Sequence, residues 1–216
     1  MLVCLDLDNT LNDRQAAVSQ WIDEFVRANG LPPEEWQWLF DLDEDGYRPR
    51  HQAFAEIRVR YGLSADVDSL VETYRERVIE LARPLEGATD CLEQLRVDGH
   101  ALVILSNGSS EQQHRKIDGL GFRELVDAVI VSGDLGIKKP DPRIFEAAAR
   151  AVGSAVEGAW MVGDAMLHDV VGGARCGMRT AWVRRGREWD DALEARPDVV
   201  VDGLDRLAPL LANGVA

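Results

Sequence analysis

Cysteine is scarce in this chain: Cys4, Cys91 and Cys176 are far apart and odd in number. That excludes a disulfide framework and the paired spacing of a zinc site. Long apolar runs are missing too, and no stretch approaches the roughly 20 residues of a membrane span. Basic residues are outnumbered, with 24 Lys and Arg against 38 Asp and Glu and a formal net charge of −14. Such an acidic surface repels phosphate backbones and anionic headgroups, which argues against nucleic acid and membrane partners. A small phosphorylated molecule is not excluded, because it answers to the local field of a pocket. Internal repeats and low-complexity tracts are also lacking. Met1 to Asp8 reaches a carboxylate too soon for a signal peptide, so a reduced, cytoplasmic protein is expected.

What is present is a rhythm. Leu2-Val3-Cys4-Leu5 is apolar on both faces and ends in polar residues, as a central parallel strand does. Similar runs follow at Ala101 to Leu105, Ala128 to Val131, Ala159 to Val162, Thr180 to Val183 and Val199 to Val201. Helical stretches separate several of them, at Ala88 to Asp98, Ser110 to Gly119 and Pro142 to Val152. Strand alternating with helix predicts a doubly wound α/β sheet.

Residues 14–83 break the rhythm. Val18, Trp21, Ile22 and Phe25 share a helical stripe that Asn29-Gly30 ends, and Val67 to Leu81 carries a second one. Two more helices are expected over 33–42 and 50–61. The segment reads as an all-helical insertion after the first strand, with Trp21, Trp36 and Trp38 as its core or, for one of them, as a wall of the substrate pocket. Asp41 to Asp45 reads as a solvated helix end and turn, and Arg48 and Arg50, flanking Pro49, as a solvated turn or, alternatively, as contacts for an anionic substrate.

Polar residues fall where the expected strands end, which is where open α/β sheets bind ligands. Strand alternation puts Asp6 and Asp8 on one face with Leu7 turned away. Two carboxylates so close repel unless a cation or proton lies between them, and Mg²⁺ suits oxygen ligands of this kind. Taken alone, the pair also reads as two carboxylates capping a turn. Ser106-Asn107-Gly108 ends the second strand ahead of a helix, a plausible cradle for an oxyanion or an ordinary cap. Lys138-Lys139-Pro140 precedes the helix at Pro142. Gly163-Asp164 leads to Asp169 across another strand end, where both carboxylates could serve a cation or a helix start.

Taken in order, these four elements resemble the motifs of the haloacid dehalogenase superfamily, and within it the magnesium-dependent phosphatases. Asp6-Leu7-Asp8-Asn9-Thr10-Leu11 is similar to the first motif, Ser106 to the second, Lys139 to the third and Gly163-Asp164 through Asp169 to the fourth. The resemblance covers nearly the whole chain and implies a Rossmann-like core, 1–13 with 84–216, and a helical cap, 14–83. It implies that Asp6 is the nucleophile and Asp8 the acid and base. Ser106, Asn107 and Lys139 would bind the phosphate. Mg²⁺ would lie on the Asp6 carboxylate, the Asp8 main-chain oxygen and Asp164, with Asp169 in support. Dehalogenases of the superfamily lack the second aspartate, so Asp8 favours phosphoryl transfer. The expected function is a hydrolase acting on a small phosphorylated metabolite. A phosphosugar mutase and a non-catalytic regulator are the alternatives. Lys138 and the histidines His51, His100 and His114 are expected at the surface, and His168 at the mouth of the site.

Overall fold

The computed structural model describes residues 1–212, and positions 213–216, assigned to the core from sequence, lie outside the described residues. The chain divides into two compact units: Met1–Asp13 with the chain from Pro84 onward, and Arg14–Arg83. In the first unit the strands are β1 (Leu2–Leu5), β2 (Ala101–Ser106), β3 (Ala128–Val131), β4 (Trp160–Gly163), β5 (Arg179–Val183) and β6 (Val199–Val201). All pairings are parallel, in the order β3-β2-β1-β4-β5-β6. Leu5 is level with Ile104 on one side and Val162 on the other. The chain leaves β1 for β2 on one flank and reaches β4 on the other. A crevice therefore opens beyond the carboxyl end of β1.

The second unit is helical: α1 (Arg14–Ala28), α2 (Glu35–Asp43), α3 (Arg50–Tyr61) and α4 (Val67–Glu80). Trp21, Ile22, Leu39, Phe54, Ile57, Val71 and Tyr74 form its core. Trp21 stacks on Phe25 at 5.1 Å and meets Tyr74 edge-on at 4.8 Å. Trp36 and Trp38 flank that core only partly buried, Trp38 beneath the Arg60 guanidinium. Asp66 caps α4 by accepting the Ser69 N–H at 2.8 Å.

Two expectations for this unit need correcting. Asp43 is not solvated: Arg14 and Arg50 each donate to its Oδ1 at 2.8 Å, and Tyr74 adds a third donor. Arg50 opens α3, as the helix expected over 50–61 requires, but it is not solvated, since it pairs with Asp43, and Arg48 pairs with Glu44 and Glu56. Burying a carboxylate demands such partners, and residue type alone does not reveal which of several nearby acids receives them.

Returning to the first unit, α5 (Ala88–Val97), α6 (Ser110–Gly119), α7 (Ser132–Leu135), α8 (Pro142–Ala151), α9 (Gly172–Arg175) and α10 (Leu207–Ala212) complete it. Val3 and Leu5 face a core shared with Leu92, Leu95, Ile117 and Leu207, on the side of α5, α6 and α10. Leu2 and Cys4 face a second core with Ile144, Phe145 and Ala148 of α8. With both faces covered, β1 has to be apolar throughout, and fully burying each leucine contributes roughly 1.5–3 kcal/mol. Pro142 occupies the first turn of α8, and Asp141 caps it through the Arg143 N–H at 3.0 Å. After β4 the expected α-helix is instead a wide π-turn over Met166–Val171, where the N–H groups of Asp169 and Val170 both reach the Ala165 carbonyl. Among the described residues, no helix is long and apolar enough to cross a membrane.

Candidate active site

Beyond β1, Asp6 continues beside β4 through its N–H to the Val162 carbonyl at 2.9 Å. The chain then winds tightly, with the N–H groups of Leu11 and Asn12 converging on the Leu7 carbonyl at 2.9 and 2.8 Å. Asn9 takes the left-handed conformation (φ 63°), which asparagine tolerates better than most residues. Leu7 and Leu11 lock this loop into the core. Asp8 emerges with its Oδ1 accepting from Asn12 Nδ2 at 2.7 Å.

Three strand ends meet at Asp6. Lys139 is 1% exposed, and its Nζ donates to Asp6 Oδ1 at 2.6 Å and to the Leu105 carbonyl at 2.7 Å. The same ammonium lies 2.7 Å from Asp169 Oδ1. Asp169 is held in turn by the Ala165 N–H, which donates to Oδ2 at 3.0 Å. Its carboxylate packs directly on Gly163, where no side chain would fit. Lys138 is exposed. Asn107 ties the second and third loops together: its Oδ1 accepts the Lys139 N–H at 2.9 Å and its Nδ2 donates to the Lys139 carbonyl at 3.0 Å. Ser106 Oγ accepts from Gln113 Nε2 at 2.7 Å. His168 is half-buried on the π-turn, and His114, expected at the surface, is half-buried between Asp134 and Arg123.

Four functional candidates escape the sequence reading. Gln113 and Lys116 stand three residues apart on the buried face of α6, and Lys116 Nζ lies 2.9 and 2.7 Å from the two oxygens of Asp8. Past β5, Arg185 and Arg187 both reach Asp164 Oδ2, at 2.8 and 3.0 Å. Their signal is faint: Gln113 and Lys116 lie among polar neighbours on α6, and the arginines sit in the basic run Arg184-Arg185-Gly186-Arg187. In the site, Asp6, Asp8, Asp164 and Asp169 thus meet Lys116, Lys139, Arg185 and Arg187.

Ligand atoms of Asp6, Asp164 and Asp169 lie within 4.8 Å of one another. Burial raises the Asp6 carboxyl to about 6, with Lys139 pulling it down and Asp164 and Asp8 pushing it up. Burial and the charge of Asp169 raise Asp164 to about 6, against Arg187 and Arg185. Asp169 is likewise raised to about 6 by burial, opposed by Lys139. Burial works against the charged form of Lys139 too, but Asp169 and Asp6 outweigh it and hold the amine above its usual pKa. Three crowded carboxylates whose charged forms are disfavoured are an all-oxygen donor set that fits a hard divalent cation such as Mg²⁺.

Residues 3–183 match the haloacid dehalogenase-like hydrolase family. The chain belongs to that family. It is 43% identical over 168 residues to the phosphoserine phosphatase of Thermus thermophilus, covering 76% of this chain and 59% of that protein. It is 32% identical over 222 residues to the glyceraldehyde 3-phosphate phosphatase of Methanopyrus kandleri, covering 97% and 94% of the two chains. Among solved structures, magnesium-bound YfnB of Bacillus subtilis shares the fold with a TM-score of 0.79 at 24% identity, over 95% of this chain and 96% of that one. The L-2-haloacid dehalogenase of Xanthobacter autotrophicus does so as well, with a TM-score of 0.79 at 21% identity over the whole of both chains.

Proposed function

We propose that this chain is a phosphoric monoester hydrolase that releases phosphate from a small phosphorylated metabolite with Mg²⁺. One observation carries the reading: a carboxylate at the end of the central strand, Asp6, pinned by Lys139 at 2.6 Å inside a cluster of three carboxylates. The phosphatases among its relatives support the chemistry. Phosphoserine and glyceraldehyde 3-phosphate, the substrates those relatives are named for, support the substrate class.

Asp6 attacks phosphorus, the bond to the leaving alcohol breaks, and an aspartyl-phosphate forms, which divides one hard displacement into two. Burial raises the Asp6 carboxyl, and the Lys139 ammonium at 2.6 Å works the other way, favouring the ionised form that a nucleophile needs. Asp8 gives a proton to the departing alkoxide and takes one from the water that then frees Asp6. Ser106, Asn107 and Lys139 hold the phosphoryl oxygens. Asp6, the Asp8 carbonyl and Asp164, supported by Asp169, would hold Mg²⁺, which when bound offsets the repulsion between anionic nucleophile and anionic phosphate.

The phosphate machinery cannot tell one leaving group from another, so substrate choice falls to the helical unit, Arg14–Arg83, acting as a cap. Its two ends leave the first unit side by side, where Leu85 donates its N–H to the Leu11 carbonyl at 2.8 Å. Two such close junctions suit a hinge.

The test is release of inorganic phosphate from 4-nitrophenyl phosphate and a panel of phosphorylated metabolites, with and without Mg²⁺. Metal-dependent release that Asp6→Asn abolishes is the expected result. Phosphate returned to the substrate at another position would point to a mutase, and no turnover with any substrate would sink the enzyme reading.

A further inference from the structure

Lys116 has little reason to be buried unless it serves something. It stands mid-way along α6, 8% exposed, where an unpaired ammonium is costly. Its partner is Asp8, whose two oxygens lie 2.9 and 2.7 Å from Nζ. Gln113, one turn earlier and 2% exposed, donates through Nε2 to Asp8 Oδ2 at 3.1 Å. The same nitrogen lies 2.7 Å from Ser106 Oγ and 3.2 Å from the Asn107 carbonyl. Gln113 is wedged over Gly108, where a Cβ would come within 2.7 Å of its Cγ, so its amide is confined. Asn12 completes the hold on Asp8 from the first loop. A short, partly exposed carboxylate on a loop is thereby given one orientation by groups on a rigid helix. That helix also carries the contact to Ser106.

We propose that Lys116, seconded by Gln113, is a positioning residue that aims the Asp8 carboxyl group at the leaving oxygen of the substrate. The inference rests on the phosphatase reading above. In the first half-reaction the P–O bond to the alcohol breaks, its electron pair goes to the alkoxide oxygen, and Asp8 supplies the proton. In the second, a water oxygen bonds to phosphorus, its proton goes to Asp8, the P–O bond to Asp6 breaks, and that bond's electron pair returns to the Asp6 carboxylate. Both transfers need one carboxyl group correctly oriented, and a proton donor matters most when the leaving alkoxide is strongly basic.

The experiment compares kcat/KM for 4-nitrophenyl phosphate, whose leaving group needs little protonation, with kcat/KM for an alkyl phosphate that the wild type hydrolyses. The variants are Lys116→Met, Gln113→Met, Asp8→Asn and Asp8→Asn/Lys116→Met, each also followed by thermal melting. The double variant removes both charges together, so it keeps the test alive if Lys116→Met alone fails to fold. Lys116→Met should lower the alkyl value by ~100-fold or more while the aryl value falls far less, in line with the share that general acid catalysis supplies. Asp8→Asn should show the same split, and adding Lys116→Met to it should cost little more, because the two act as one unit. Equal losses on both substrates, or losses that multiply in the double variant, would overturn the proposal and leave Lys116 a structural cation. A wild type that hydrolyses neither substrate would overturn the phosphatase reading itself, a result distinct from uniform losses in an active enzyme.

Discussion

A Cβ built on Gly163 would lie 2.1 Å from Asp169 Oδ2. The last residue of β4 is glycine because the Asp169 carboxylate occupies the space a side chain needs, and that carboxylate is fixed in turn by Lys139 and the Ala165 N–H. Gly163→Ala should therefore push Asp169 off Lys139, with a destabilisation of ~1–3 kcal/mol typical of overpacking. Turnover should fall at least tenfold, roughly what 1.4 kcal/mol of lost transition-state stabilisation gives. Thermal melting and kcat on the purified variant check both. A folded Gly163→Ala protein with wild-type kcat would show that Asp169 can move without consequence.

Much of this was legible because a parallel sheet leaves two plain marks. Its strands are apolar on both faces, as β1 and β4 are, and its polar residues stand at or just past the strand ends, as Ser106, Asp6 and Asp164 do. The groups that answer these acids were not legible. Lys116 and Gln113 lie on a polar helix whose buried face holds one apolar residue, Ile117, beside them, so no apolar stripe marks which side turns inward. Arg185 and Arg187 reach Asp164 across 21 and 23 residues of sequence, and nothing local announces the contact. The π-turn at Met166–Val171 has no pattern of its own, since its residues fit a helix of ordinary pitch. Asp43 shows the same limit in the helical unit, where tertiary pairing overrides a polar local sequence.

Lys139 separates two buried carboxylates, and removing its charge should cost ~3–5 kcal/mol, as breaking a buried ion pair does. Lys139→Met should melt well below the wild type and show no turnover. Mg²⁺ should restore part of the lost melting temperature, because a cation replaces the missing charge between Asp6 and Asp169. Melting curves with and without Mg²⁺ measure this directly. A metal-free Lys139→Met protein as stable as the wild type would contradict the charge balance described above.

The carboxyls of Asp6, Asp164 and Asp169 are each raised to about 6, chiefly by burial. In an unfolded chain an aspartate titrates near ~3.9, so between ~4 and ~6 the folded protein binds protons more tightly. Their contribution to stability is full below ~4 and is lost as pH rises through about 6. Mg²⁺ competes with those protons, so the melting temperature it adds should be small at pH 5 and large at pH 8. Calorimetry should detect proton release on Mg²⁺ binding at pH 5.5 and little at pH 8. A metal-induced shift in melting temperature that is independent of pH would rule out these three carboxyls as the binding groups.

Asp8 and Asp164 should separate in a metal titration. Asp8 is assigned a main-chain oxygen, which survives Asp8→Asn, whereas Asp164→Asn removes a carboxylate from the cluster. Calorimetric titration of Mg²⁺ into the two variants should give a far weaker affinity for Asp164→Asn. Equal losses would mean that the roles are wrongly divided.

Arg185 and Arg187 give the last prediction. Both guanidiniums address Asp164 Oδ2, at 2.8 and 3.0 Å, and Arg187 also donates to the Asp164 carbonyl at 2.6 Å. A cation arriving on Asp6, Asp164 and Asp169 therefore meets two positive charges already seated on one of its ligands. The arginines relieve a buried carboxylate while no metal is bound, and they oppose metal binding at the same oxygen. Replacing both, in Arg185→Met/Arg187→Met, should move two observables in opposite directions. The metal-free protein should melt lower, because Asp164 loses its compensating charges. Mg²⁺ should bind more tightly, by about tenfold if ~1.4 kcal/mol of repulsion is removed. Thermal melting and calorimetry read these separately, neither depending on turnover. Tighter binding with a lower metal-free melting temperature would identify the arginines as competitors for the metal's place. Weaker binding would show instead that they hold Asp164 in the orientation the metal needs, and the competition described here would be wrong.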